Sequence, residues 1–131
     1  MKVFRGTLSW DIDEASDLEA VLSEDSRGGA WFFLGDTDAS YPQLAIRVSG
    51  NAADAHYLPR AGHPGIRCMA VPEQQSRQGD STTFVYEGCD PSSGEDVPNE
   101  FVVPFSLVLT VAREFLAATR QKSASVEWFE L

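Results

Sequence analysis

Pro104-Phe105-Ser106-Leu107-Val108-Leu109-Thr110-Val111-Ala112-Arg113-Glu114-Phe115-Leu116-Ala117-Ala118-Thr119 is the stretch whose pattern decides the fold class. Phe105, Val108, Ala112, Phe115 and Thr119 recur at spacings of three and four, and Leu109, Val111 and Leu116 widen the stripe. This period predicts an amphipathic helix over 104–119 with one face against a core. Pro104 suits a first turn, where no backbone donor is needed. Arg120 and Lys122 suit the negative C-terminal end of the helix dipole.

Working outward, Ser125 to Leu131 alternates in polarity and reads as a strand, with Val126 and Trp128 on one face. Near the other terminus, Ala15, Leu18, Val21 and Leu22 mark a second helix at about 13–24. Asp11 or Asp13 can cap it, Glu14 and Asp17 suit its positive end, and Ser26-Arg27-Gly28-Gly29 stops it. Lys2 to Leu8 reads as a first strand. Ala30 to Leu34 is a wholly apolar strand suited to the middle of a sheet. Gln43–Ser49 and Ala53–Leu58 make a hairpin about Gly50-Asn51. Gly65–Val71 and Thr82–Tyr86 are further strands, while Pro72–Ser81 and Gly88–Asn99 read as loops. Glu100–Val103 is extended, because a residue before proline avoids the helical region. Runs of strands between two helices predict an α+β fold: a mostly antiparallel sheet, helices at about 13–24 and 104–119 packed on it, and a C-terminal strand at 125–131.

The 131 residues suit one domain, 1–131. Hydrophobic residues at 43%, with eight Phe, three Trp and three Tyr, are enough for a core and argue against disorder. Twenty Asp and Glu against ten Lys and Arg give a formal net charge of -10. Such a chain repels nucleic acid and anionic lipid at long range and is drawn to a basic partner. The two cysteines, Cys68 and Cys89, form no C-x-x-C and no zinc spacing. The N-terminus has no signal-like region, and no stretch approaches the roughly 20 apolar residues of a membrane span. These features predict a cytoplasmic protein with reduced thiols.

Catalytic chemistry finds little support. His56 and His63 are the only histidines. Asp54-x-His56 could be written as orienter and base, but on a strand both side chains share a face, expected to be the wet one. Cys68 alternates with apolar neighbours and reads as core. No phosphate-cradling motif occurs, and Asp36-x-Asp38 lacks the further ligands of a calcium loop. An enzyme is therefore not expected, and no cofactor or metal is implied.

What stands out is acidity. From Arg77 to Arg113 there is no Lys or Arg between, while Asp80, Glu87, Asp90, Glu95, Asp96 and Glu100 fall in that interval. Six carboxylates, most on one loop, could steer the chain onto a cationic cleft, with Asp36 and Asp38 widening the surface if the turns share a sheet edge. Tyr41, Tyr57 and Tyr86 are the aromatics placed near such an interface, since tyrosine is a frequent hot-spot residue. Half-buried sheet tyrosines and a solvated loop are the plainer readings of the same residues.

Val102-Val103-Pro104, the helix through Ala112-Arg113-Glu114-Phe115-Leu116, Ala118-Thr119-Arg120-Gln121-Lys122 and the closing Val126-Glu127-Trp128-Phe129-Glu130-Leu131 resemble the Imm1-type immunity proteins of bacterial polymorphic-toxin systems. Pro42-Gln43-Leu44-Ala45-Ile46 followed by Ala55-His56-Tyr57-Leu58 is similar to that family's central hairpin. Ser123 stands where relatives often carry proline. The resemblance implies a monomer that blocks the active site of a cognate toxin domain as a 1:1 heterodimer, with toxins of the nucleic-acid deaminase fold among the partners. It implies no catalytic residues. The toxin-binding candidates, Asp36, Asp38, Tyr41, Tyr57, Tyr86, Glu87, Asp90, Glu95 and Asp96, rest on charge and position. The alternative is a small α+β ligand-binding or regulatory domain, whose sign would be a deep apolar pocket with a few convergent polar groups.

Overall fold

The central hairpin pairs β4 (Gln43–Ser49) with β5 (Ala52–Leu58) from Gln43↔Leu58 to Ser49↔Ala52. Gly50 turns the chain between them at φ +62, which costs little without a Cβ. The computed structural model describes residues 1–24, 29–69, 79–86, 94–118 and 120–130. β3 (Ala30–Gly35) lies beside β4, then β1 (Lys2–Arg5), then β2 (Leu8–Asp11) at one edge. On the other side of β5 come β6 (Ile66–Met69) and, at the far edge, β10 (Glu127–Glu130). The neighbouring strands all pair antiparallel. A two-residue strand, β9 (Val103–Pro104), joins the Ala52 end of β5. β7 (Ser81–Phe84) and β8 (Glu95–Pro98) form a separate antiparallel pair. With α1 (Ala15–Glu24) and α2 (Phe105–Ala117), this is an α+β fold.

Strand alternation sends one set of side chains to the helices. Val3, Phe32, Leu34, Leu44, Ile46, Val48, Ala53, Ala55 and Cys68 bury against Leu18 and Leu22 of α1 and Val108, Val111, Ala112 and Phe115 of α2. Each large side chain so buried contributes about 1.5–3 kcal/mol. Burial pushes the Cys68 thiol up to about 12, in keeping with its core position. Arg113 reaches Glu19 at 3.1 Å between the helices, a half-exposed pair of small worth.

The end of α2 is closed by Arg120, which adopts φ +64. Its backbone N–H donates to Phe115 O at 3.1 Å and its guanidinium to Leu116 O at 2.9 Å, satisfying carbonyls the helix leaves open. Ser123 is buried; its hydroxyl and that of Ser125 donate to Glu114, and its carbonyl accepts from Trp128 Nε1 at 2.8 Å. These contacts place β10 against β6, with Trp128 on the helix side.

Four expectations change. The single first strand at Lys2–Leu8 is two strands, because Gly6 at φ +57 reverses the chain after Arg5. The Gly88–Asn99 loop contains a strand, since Glu95–Pro98 pairs with Ser81–Phe84. The extended segment at Glu100–Val103 begins as a 3-10 turn over Asn99–Phe101, closed by Val102 N–H donating to Asn99 O at 3.2 Å, and is extended only beyond it. Finally, the face bearing Asp54 and His56 is not simply wet. Ala52, Phe84, Val97, Phe101 and Val102 form a second core over it, with Met69 and Tyr86 packed alongside. The helix stop at 26–28, the 72–78 part of the loop before β7, and Thr119 at the end of the apolar stripe lie outside the described residues.

The molecule therefore has three layers: helices, main sheet, and a small cover of β7, β8 and the 3-10 turn. Ser49 Oγ fastens that cover by accepting from Val85 N at 3.2 Å and donating to Val85 O at 3.3 Å. Gly29, at φ +88, approaches so closely that a Cβ there would lie 2.1 Å from Val85 O. Among the described residues no helix is long and apolar enough to cross a membrane.

Candidate functional site

On the face away from the helices, Arg47 of β4 stands opposite Asp54 of β5 in the ladder. Arg47 donates through Nε and Nη2 to the Asp54 carboxylate and through Nη1 to Glu95 of β8. Arg67 Nη2 reaches Asp54 Oδ2 at 3.4 Å, and His56 Nε2 lies 3.5 Å from the same oxygen. Burial alone would push the Asp54 carboxyl up, but His56 and Arg47 outweigh it and hold the group below the usual carboxylate range. Arg47 is likewise disfavoured by burial, yet Asp54 keeps it firmly protonated. Aromatic rings complete the enclosure: Arg67 lies 4.1 Å from the Phe101 ring centre, and Arg47 lies 5.8 Å from that of Phe84. The cluster sits under the cover and pins it to the sheet through Glu95.

The cover reaches only part of the face. Over β3 and β1 the described residues leave the sheet partly open, and there the aromatics line up. Tyr86 stacks on Trp31 at 6.4 Å, Trp31 stacks on Phe33 at 5.7 Å, and Phe33 stands opposite Phe4 in the ladder. Trp31 is 43% exposed, unusual for so large an indole on a sheet face. Arg47, its ladder partner on β4, lies 5.7 Å from its ring centre, so the buried cluster adjoins the strip. At the strip's far end Phe4, Gly6, Phe33, Asp38 and Gln43 line an open cleft of about 310 Å³. That is the lower end of the range for small-molecule pockets, and the lining is shallow rather than enclosing.

The nine residues named from sequence fall in several places. Asp38 borders the cleft, and Tyr86 belongs to the aromatic strip. Tyr41 is exposed in the same turn as Asp38. Asp36 is engaged elsewhere, accepting from Arg120 Nε at 2.9 Å. Tyr57 faces the helices: it packs edge-on against Phe115 and Trp128 and donates to Arg120 O at 3.3 Å, so it does not share a surface with Tyr86. Glu95 lies on a strand and is bound to Arg47, whereas Asp96 is exposed and accepts from Thr83 Oγ1 at 2.6 Å. Glu87 and Asp90 lie outside the described residues. Asp38 and Glu95 are also separated. Gln43, beside Asp38, and Arg47, beside Glu95, stand four residues apart on β4, roughly 13 Å.

The sequence reading missed Trp31, Phe33 and Phe4, and the pairing of Arg47 with Asp54. A signal existed. If Leu44, Ile46 and Val48 face the core, then Arg47 faces away, and hairpin register about Gly50-Asn51 brings Asp54 opposite. Cys68 and His56 project to opposite faces of the sheet, so they form no dyad. Among the described residues no group of three or more His, Cys, Asp or Glu could hold a metal ion. No protein-family model matches the chain, and no curated protein matches it.

Proposed function

We propose that this chain is an immunity-type inhibitor: a cytoplasmic α+β protein that occupies a basic, nucleic-acid-acting toxin domain and keeps its substrate out. The observation that carries the reading is the aromatic strip Tyr86–Trp31–Phe33, with Trp31 exposed between two half-buried rings, on a chain of net charge -10. Large aromatic rings on a rigid sheet lose little conformational freedom on binding and suit hot spots. An acidic surround attracts a toxin whose active site is itself built to receive a polyanion. Toxins of the deaminase fold, which take a base into a pocket on a cationic surface, are the partner class the Imm1-type resemblance suggests. Inhibition is then steric and requires no chemistry from this chain.

The test is co-expression with the toxin domain encoded in the adjacent upstream gene. The chain should form a 1:1 complex and restore growth. Trp31→Ala should weaken that complex by about 2–4 kcal/mol, as loss of a central aromatic anchor does, with a smaller loss of the chain's own stability, about 1 kcal/mol, from its stacking on Phe33 and Tyr86. A toxic neighbour that kills despite full expression, with no complex recovered, overturns the reading.

A further inference from the structure

The cleft at the end of the aromatic strip has a one-sided chemistry. Its walls include two phenyl rings, Phe4 and Phe33, adjacent on neighbouring strands. Its side chains include two acceptors, the Asp38 carboxylate and the Gln43 amide oxygen. Gln43 is largely buried, and its amide nitrogen donates one N–H to Asp38 O at 3.1 Å, which fixes the amide and leaves its oxygen and its second N–H able to bond. The Asp38 carboxylate makes no ion pair among the described residues, in contrast to Asp36 two positions earlier, which Arg120 holds. Among the described residues no Lys or Arg lines the cleft: Lys2 is engaged by Asp11 at 3.0 Å, and Arg5, between Phe4 and Gly6, lies 5.9 Å from the ring centre of Phe32, which belongs to the helix-side core.

The turn that presents Asp38 is set without its side chain. Ser40 Oγ accepts from Thr37 N at 2.7 Å, and Thr37 Oγ1 accepts from Ala39 N at 3.3 Å and Ser40 N at 3.0 Å. Gly6, on the opposite rim, has nothing within 4 Å of where a Cβ would stand.

From this geometry we infer that the Phe4–Phe33–Asp38–Gln43 cleft receives a single arginine side chain of the partner protein. A guanidinium is planar, stacks on phenyl rings and donates five hydrogen bonds, which matches two rings, a carboxylate and an amide oxygen. The inference deepens the proposed function by naming the group the basic partner inserts, and it rests on that reading for the partner. It also predicts binding that can be measured without any partner.

The experiment is an amide-resolved NMR titration of the full chain with N-acetyl-arginine amide, and in parallel with N-acetyl-norleucine amide, at low salt. The arginine probe should give saturable shifts at Gly6, Asp38 and the Gln43 side-chain amide, and the neutral probe should not. Asp38→Asn, whose turn is held by Thr37 and Ser40, should fold as the parent does and weaken the arginine probe at least about threefold. Shifts absent from the cleft, equal for the neutral probe, or unchanged in Asp38→Asn would overturn the inference. Because no toxin is present, those outcomes bear on the cleft alone, and failure of neutralisation in cells bears on the immunity reading alone.

Discussion

Asp54 gathers Arg47, Arg67 and His56 on one carboxylate while exposing only 1% of its surface. A buried ion pair of this kind is weak evidence for net stability, but breaking one is costly, because the partner charges stay buried without compensation. Asp54→Asn is therefore expected to lower unfolding free energy by about 3–5 kcal/mol at neutral pH, measured by urea denaturation. The acid dependence follows from the same contacts. Asp54 binds its proton less readily folded than unfolded, so its stabilising contribution is complete above about pH 5. It fades as pH falls through the unfolded value near 4 and then the lower folded one. The parent should lose stability across that acid range, and Asp54→Asn should lose less of it. Glu95, by contrast, is half-exposed and shares Arg47 with Asp54, so its removal should cost far less.

At the scale of elements, the cover depends on close approach as much as on its own small core. Gly29 leads into β3 and passes the residues just after β7, at a distance where a Cβ would meet a backbone carbonyl. Gly29→Ala adds both that collision and an alanine at φ +88. It should destabilise the fold by at least about 2 kcal/mol in thermal or urea unfolding. An unchanged midpoint would mean that the α1–β3 connection and the cover move apart freely. The placement of Glu95 on β8 matters here too. Reversing Glu95 and Asp96 together would disturb both the cover and the surface charge, whereas Asp96 alone changes only the surface.

For the whole molecule, the described acidic residues among those behind the charge of -10 are spread over helices, strands, turns and the cover. Long-range steering depends on the summed field, so this dispersion leaves the expectation of fast, salt-sensitive association intact. With a cognate basic toxin domain, stopped-flow association should slow markedly between low and physiological ionic strength. Trp31→Ala should act mainly on dissociation. An on-rate that ignores salt would remove electrostatics from the mechanism while leaving the aromatic anchor in place.

Periodicity alone determined the α+β class, both helices and the central hairpin, because burial on one face of a helix or strand imposes a repeat of 3.6 or 2 on the residues. The alternation of Ile66, Cys68 and Ala70 likewise marked a core thiol, and Cys68 is buried. Only the tertiary structure decided which carboxylates are free. Asp36 and Asp38 look alike in sequence, yet one meets Arg120, 84 residues away, and the other borders a cleft. Tyr57 and Tyr86 look alike too, yet Tyr57 stands on the helix side of β5 while Tyr86, just after β7, comes to the opposite face with the cover. Trp31 and Phe33 read as part of a wholly apolar strand, and Phe4 as an apolar residue of the first strand. Trp31 is exposed and Phe4 and Phe33 are half-buried because the described part of the cover packs over β5 and β6 and reaches β3 only through Tyr86 and its neighbour, a matter of long-range packing that no local pattern encodes.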